Sequence, residues 1–178
     1  MLQIYIKLSY ENNMIITGFQ LRASRKALNL TLDELSNNAN VSKVTLARLI
    51  NTIGNSDEIT CSAQDAQRLL IYFCNKKLLF VDQYTIELDE YVETKPVEMN
   101  LTRFQFITAR TATNLSLRGL EQHIDLSYGS FRRFEEQDNN SYIKSNKTEI
   151  SKIILFFNEE GIYFPNNKSI RIHEKKKI

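Results

Sequence analysis

Glycine and proline are scarce in this chain of 178 residues, with five of the first and two of the second. So few turn-formers argue against a sandwich or barrel with many tight turns and favour a mostly helical fold. Cysteine is equally rare. Cys61 and Cys74 lie thirteen residues apart and form neither a CxxC pair nor a metal-ligand set with His123 and His173. They read as reduced, at least partly buried residues of a cytoplasmic protein. No stretch approaches the roughly 18–20 consecutive apolar residues of a membrane span, so no membrane partner is expected. The opening run MLQIYIKLSYENN lacks the basic start, apolar core and cleavage site of a signal peptide. There is no P-loop, no GxGxxG, no GxSxG elbow and no paired metal ligands, so neither an enzyme nor a cofactor is expected.

What is present is an ordinary globular composition, 42% hydrophobic and 25% charged, with a formal net charge of +2. The charge is unevenly shared. Residues 1–99 carry 10 Lys/Arg against 12 Asp/Glu, and residues 100–178 carry 13 against 9. That total argues against a protein that coats nucleic acid indiscriminately, but not against a basic face on one half.

The chain repeats itself. Shifted by 85 residues, Thr17–Ile50 falls on Thr102–Glu135 with 11 of 34 positions identical, among them Phe19/Phe104, Arg25/Arg110, Leu35/Leu120, Ser42/Ser127 and Arg48/Arg133. At an offset of 84, Asp65–Phe80 falls on Glu149–Phe164 and Thr85–Leu88 on Ser169–Ile172. The order of segments is kept, which indicates a duplicated unit. The boundaries expected are an N-terminal extension over 1–14, itself alternating like a strand, a first domain over 15–88, an acidic linker over 89–100, a second domain over 101–172 and a basic tail over 173–178.

Within the first copy, Leu21, Arg25 and Leu28 make a helical row. Thr31 and Glu34 form a capping box that starts a second helix, LDELSNNA, with Leu35 and Ala39 on one face. Asn40-Val41 makes a turn, since Asn tolerates the left-handed conformation. Ser42 caps a third helix, SKVTLARLI, with Leu46 and Leu49 inward. A fourth helix covers about Ala63–Lys76, and LLFVDQYTIELD alternates like a short hairpin. Tyr72, Phe73, Phe156 and Phe157 are expected in the core or at a domain interface.

Two short helices joined by a tight turn, with an apolar residue just after it, make the helix-turn-helix pattern. The run ITGFQLRASRKALNLTLDELSNNANVSKVTLARL closely resembles the Xre-like (Cro/repressor) family, and LTRFQFITARTATNLSLRGLEQHIDLSYGSFRRFE resembles it more loosely. The resemblance implies a mainly α protein of two tandem lambda-repressor-like helix-turn-helix domains, each of four to five helices followed by a short β-hairpin. It implies sequence-specific binding to double-stranded operator DNA, as a transcriptional repressor whose recognition helices (about 42–50 and 127–135) enter the major groove. By position, Lys43, Val44 and Arg48 face base edges in the first copy, and Tyr128, Gly129 and Arg133 do so in the second. Ser42, Thr45, Ser127 and Ser130 offer hydroxyls to phosphate. Arg132 adds a basic neighbour, and the helix starts at Thr31 and Ser116 offer backbone N–H groups.

Three departures from the family pattern bear on this. Leu32 and Leu117 stand where the family commonly has a contacting Gln, so one contact is missing twice. Asn40 and Asp125 replace a turn glycine. Arg110 has Glu135 as its helix-three partner, but Arg25 faces Ile50 and must be satisfied otherwise. An ordinary surface charge is the competing account of Arg48 and Arg133, a protein interface that of Tyr128, and a surface histidine that of His123. The alternative function is a protein-interaction regulator, antiactivator or antitoxin-like, with weak or no DNA binding. Homodimerisation stays open.

Overall fold

A computed structural model of the chain describes residues 16–52, 54–90, 92–93 and 100–173. The N-terminal extension, most of the linker and all of the tail except His173 therefore lie outside the described residues. The first half runs α1 (Gly18–Ala27), α2 (Leu32–Ala39), α3 (Lys43–Thr52), α4 (Ala63–Asn75), β1 (Leu78–Asp82) and β2 (Thr85–Leu88). The second repeats that order with α5 (Arg103–Thr113), α6 (Leu117–Glu121), α7 (Tyr128–Glu135), α8 (Lys147–Glu159), β3 (Ile162–Tyr163) and β4 (Ser169–Ile172). Among the described residues no helix is long and apolar enough to cross a membrane.

Local signals explain these elements. Thr17, Thr31 and Thr102 each open a helix with a full capping box, closed by Gln20, Glu34 and Gln105. Asn40 ends α2 in the left-handed conformation at φ 53°, as its residue type allows. Lys77 and Gly161, equivalent by position, both turn with positive φ between the fourth helix of their half and its hairpin. Only Gly161 does so without steric cost. Helix α6 is short, with Gly119 at its centre lowering its helical preference.

Each half fills its centre differently. The first packs Phe19, Leu35, Leu46, Leu49, Leu69 and Phe73, all at most 2% exposed. In the second, Phe106, Phe131 and Phe134 take the places of Leu21, Leu46 and Leu49. Their rings meet at 5.6–6.2 Å, edge-on or stacked. Phe73 and Phe157 are buried and Tyr72 and Phe156 half-buried against the core, as their placement in the sequence predicts.

The expectation of a mainly α chain, each half closing on its own hairpin, needs correction. The two hairpins fuse into one four-stranded antiparallel sheet in the order β1-β2-β4-β3, so the fold mixes helices with a substantial sheet. A lone two-stranded hairpin is marginal in water and leaves one ladder unpaired on each side. Joining β2 to β4 removes two of those four edges.

That join is two-fold symmetric. Thr85 pairs with Arg171, Ile86 with Ile170 and Glu87 with Ser169. Since Ile86 and Ile170 are equivalent in the repeat, the exchange of halves maps the ladder onto itself about that pair. Helices α1 and α5 pack against each other in the same sense. Asn55 Nδ2 donates to the Ala112 carbonyl at 2.6 Å, and its counterpart Asn139 Nδ2 donates to the Ala27 carbonyl at 3.1 Å. The N-terminal end of each helix thus meets the C-terminal end of the other.

One bridge breaks the symmetry. Arg103, 2% exposed, stands where the first half has Gly18. Its Nε donates to the Glu135 carbonyl at 2.7 Å, Nη1 to the Ala27 carbonyl at 3.0 Å and to Asn139 Oδ1, and Nη2 to Asn29 Oδ1 at 2.8 Å. Arg103→Leu removes four hydrogen bonds and leaves the part-buried Glu135 carbonyl and Asn139 Oδ1 without this donor, at about 1–3 kcal/mol apiece. Urea unfolding is expected to show about 3 kcal/mol of lost stability; a loss below about 1 kcal/mol would mean the bridge does not hold the halves together. Burial pushes the Cys74 thiol up to about 11, with Asp89 adding to it. A thiol reagent at mildly alkaline pH is therefore expected to reach half-buried Cys61 in the native protein and Cys74 only after unfolding, as peptide mass spectrometry can read.

Candidate nucleic-acid interface

In each half the second and third helices are joined by a short turn and held from behind by the core. Leu35, Ala39, Val41, Leu46 and Leu49 are buried in the first half, and Leu120, Ile124, Phe131 and Phe134 in the second. That anchors one side of α3 and α7 and turns the other outward. Two bonds fix the first turn: Ser36 Oγ donates to the Val41 carbonyl at 2.7 Å, and Arg68 Nη1 to the Asn40 carbonyl at 3.0 Å. In the second half Lys152 Nζ reaches Asp125 at 3.1 Å, which offsets the carboxylate that replaces the turn glycine.

The residues read from the sequence fall on the outer sides of these helices. Ser42, Lys43, Val44 and Arg48 are exposed and Thr45 is half-buried; Val44 is 81% exposed, an extreme for an aliphatic side chain. On the other half Ser127, Tyr128, Gly129, Arg132 and Arg133 are exposed and Ser130 is half-buried. Thr31 and Ser116 are exposed at the starts of α2 and α6. A Cβ at Gly129 would meet only Ser127 Oγ, at 3.8 Å, so packing does not require glycine there.

Several of these groups are already engaged. Lys43 Nζ pairs with Asp33 at 2.7 Å, and Arg48 Nη2 donates to the Thr60 carbonyl at 2.9 Å. Arg132 pairs with Glu136 at 3.0 Å, and Arg133 Nη2 donates to Ser130 Oγ at 3.2 Å. Such exposed contacts are worth about 0–1 kcal/mol each and yield readily to a stronger partner. Sequence reasoning missed Asp33, Arg118 and Glu121. The Arg118 guanidinium lies 5.9 Å from the Tyr128 ring centre, and Glu121 Oε1 accepts the Tyr128 backbone N–H at 3.0 Å. The spacing inside LRGLE places both on α6, but only the turn between α6 and α7 brings them to Tyr128.

At the helix starts expected to offer backbone donors, the Thr31 N–H is taken by Glu34 at 2.8 Å, and the Thr31 and Ser116 hydroxyls accept from Glu34 N and Gly119 N at 3.2 and 3.0 Å. Ser42 Oγ accepts from Thr45 N at 3.1 Å and Ser127 Oγ from Ser130 N at 3.3 Å, both as N-caps. At α7 the chain's own carboxylate takes the first donor. The two hydroxyl pairs, Ser42 with Thr45 and Ser127 with Ser130, lie 2.9 and 3.2 Å apart.

Behind these helices the two halves treat one arginine differently. Arg110 gives Nε and Nη2 to Glu135 Oε1, at 2.7 and 2.5 Å, and Nη1 to the Leu115 carbonyl at 2.9 Å. Arg25 repeats only the last contact, Nη1 to the Leu30 carbonyl at 2.7 Å, and its buried Nε meets no acceptor. Among the described residues no three His, Cys, Asp or Glu side chains cluster as metal ligands, and His123 stacks on Phe156 at 5.5 Å.

Because Ser42 and Ser127 set where the outward helices begin, Ser42→Ala and Ser127→Ala are each expected to cost about 1 kcal/mol in urea unfolding. No change in either would mean the hydroxyls do not define these helix starts. Comparison with protein-family models, with curated proteins and with solved structures found nothing that matches this chain.

Proposed function

We propose that this protein is a sequence-specific double-stranded-DNA-binding regulator whose two halves act as a covalent pseudo-dimer. The observation that carries this is the two-fold relation between α3 and α7, each the outer member of a helix–turn–helix pair with hydroxyls, cations and one exposed apolar or aromatic side chain facing outward. A helix docked in the major groove reads a half-site in one direction, so two helices related by a two-fold axis read half-sites in opposite directions. The outward residues differ, with Lys43, Val44 and Arg48 against Tyr128, Gly129 and Arg133. The operator of this reading is thus an inverted pair of unlike half-sites. Lys and Arg suit guanine O6 and N7, and Val44 suits a thymine methyl. The role as a repressor rests on the family resemblance alone, and the cytoplasmic setting on the two free cysteines.

Selection of bound duplexes from a random pool tests the reading. The expected product is an inverted, imperfect palindrome. Lys43→Ala/Arg48→Ala should relax one half and Arg132→Ala/Arg133→Ala the other, each at about 2 kcal/mol or roughly thirty-fold in affinity. A direct repeat, or the parent site selected unchanged by both doubles, would count against it.

A second reading is a regulator that holds another protein. It is favoured by Glu121 seated on the α7 N-terminus, where phosphate would otherwise bind, and by the bare Val44 on α3. Absence of DNA binding even at low salt would select this reading, whereas steep loss of affinity with salt supports phosphate contact.

A further inference from the structure

The unequal treatment of Arg25 and Arg110 has a consequence at the junction of the halves. A cavity of about 290 Å³ opens there, walled by the end of α1, the loop into α2, and residues of α5 and α7. Arg25, Lys26, Arg110 and Glu135 all line it, with Thr31 at its edge. Three cations thus face one carboxylate, and that carboxylate is already held by Arg110 at 2.5 Å. Ile50 stands where a second Glu would serve Arg25, so α3 contributes no counter-charge. Glu34, the other nearby acid, is spent on the Thr31 N–H and hydroxyl, both at 2.8 Å.

The charges are felt locally. Burial lowers the Arg25 pKa. Lys26 is also pushed below its ordinary value, first by burial and then by Arg25 and Arg110, with Glu135 pulling the other way. An anion in the cavity would relieve all three cations at once. Guanidinium and ammonium groups around a small space are the donors that phosphate and carboxylate oxygens need.

We propose that this inter-half cavity binds a small anionic ligand, held through a phosphate or carboxylate group by Arg25 and Lys26. Its walls belong to both halves, so the ligand bears on their relative placement. Of the residues expected to meet DNA only Thr31 touches this cavity, and its N–H and hydroxyl are held by Glu34, so the site is defined without the recognition residues and its test uses no operator.

Inorganic phosphate and succinate serve as probes, titrated into the full chain at constant ionic strength set with chloride, with thermal unfolding as readout. A dissociation constant near 1 mM would raise Tm by about 3 °C at about 10 mM anion. Lys26→Gln, at an exposed position, is expected to fold normally and lose at least two-thirds of that rise. Lys168→Gln, outside the cavity, should keep it. Phosphate alone active assigns a phosphorylated ligand, and succinate alone a carboxylate one. Equal rises in chloride, or a rise unchanged by Lys26→Gln, would overturn the site. So would displacement of the bound phosphate by a random-sequence duplex, which would make it a DNA-backbone contact. Failure here leaves the operator selection untouched, and failure of that selection leaves this titration standing.

Discussion

Strands β2 and β4 hydrogen-bond about Ile86 and Ile170, and the way one half meets the other depends on that ladder. Both isoleucines are fully buried, so the join excludes water on at least one face as well as satisfying backbone groups. Side chains in a strand alternate between faces, and a one-residue slip would turn the buried Ile86 and Ile170 to the opposite face. Register is thereby set, and with it the antiparallel meeting of α1 and α5. Arg103, Asn55 and Asn139 then secure the helical side of the same junction.

A single chain with internal two-fold symmetry is freed from the constraint that binds a homodimer. In a homodimer every substitution appears twice; here each half can change alone. The aromatic centre of the second half, the Arg110–Glu135 pair and the Arg103 bridge all have no matching partner in the first. The symmetric elements maintain geometry, while the asymmetric ones give each half its own chemistry. The charge of the cavity at the junction reflects that asymmetry, because only one of the two equivalent arginines has a carboxylate partner.

The outward helices show a competition between internal and external partners. Glu121 on the α7 N-terminus and Asp33 on Lys43 are short-range contacts in water-exposed positions. They cost little to break, and they keep the same donors from meeting unspecific anions at full strength.

Much of the local structure was legible in the chain itself. The capping box at Thr31, the turn at Asn40 and the inward Leu35, Leu46 and Leu49 depend on residues close in sequence, while the Arg110–Glu135 pair was expected from the family resemblance alone. The outward positions of α3 and α7 follow from the same helical period. What the chain could not disclose was how its halves meet. The fusion of two hairpins into one sheet, the Arg103 bridge to Ala27 and Asn29, and the approach of Lys26 to Arg110 join residues some 70–90 positions apart. Periodicity reports which side of an element is buried but not which distant element covers it. Short-range steric and capping preferences therefore determined the elements, while tertiary packing alone decided the two-fold axis and the charged cavity beside it.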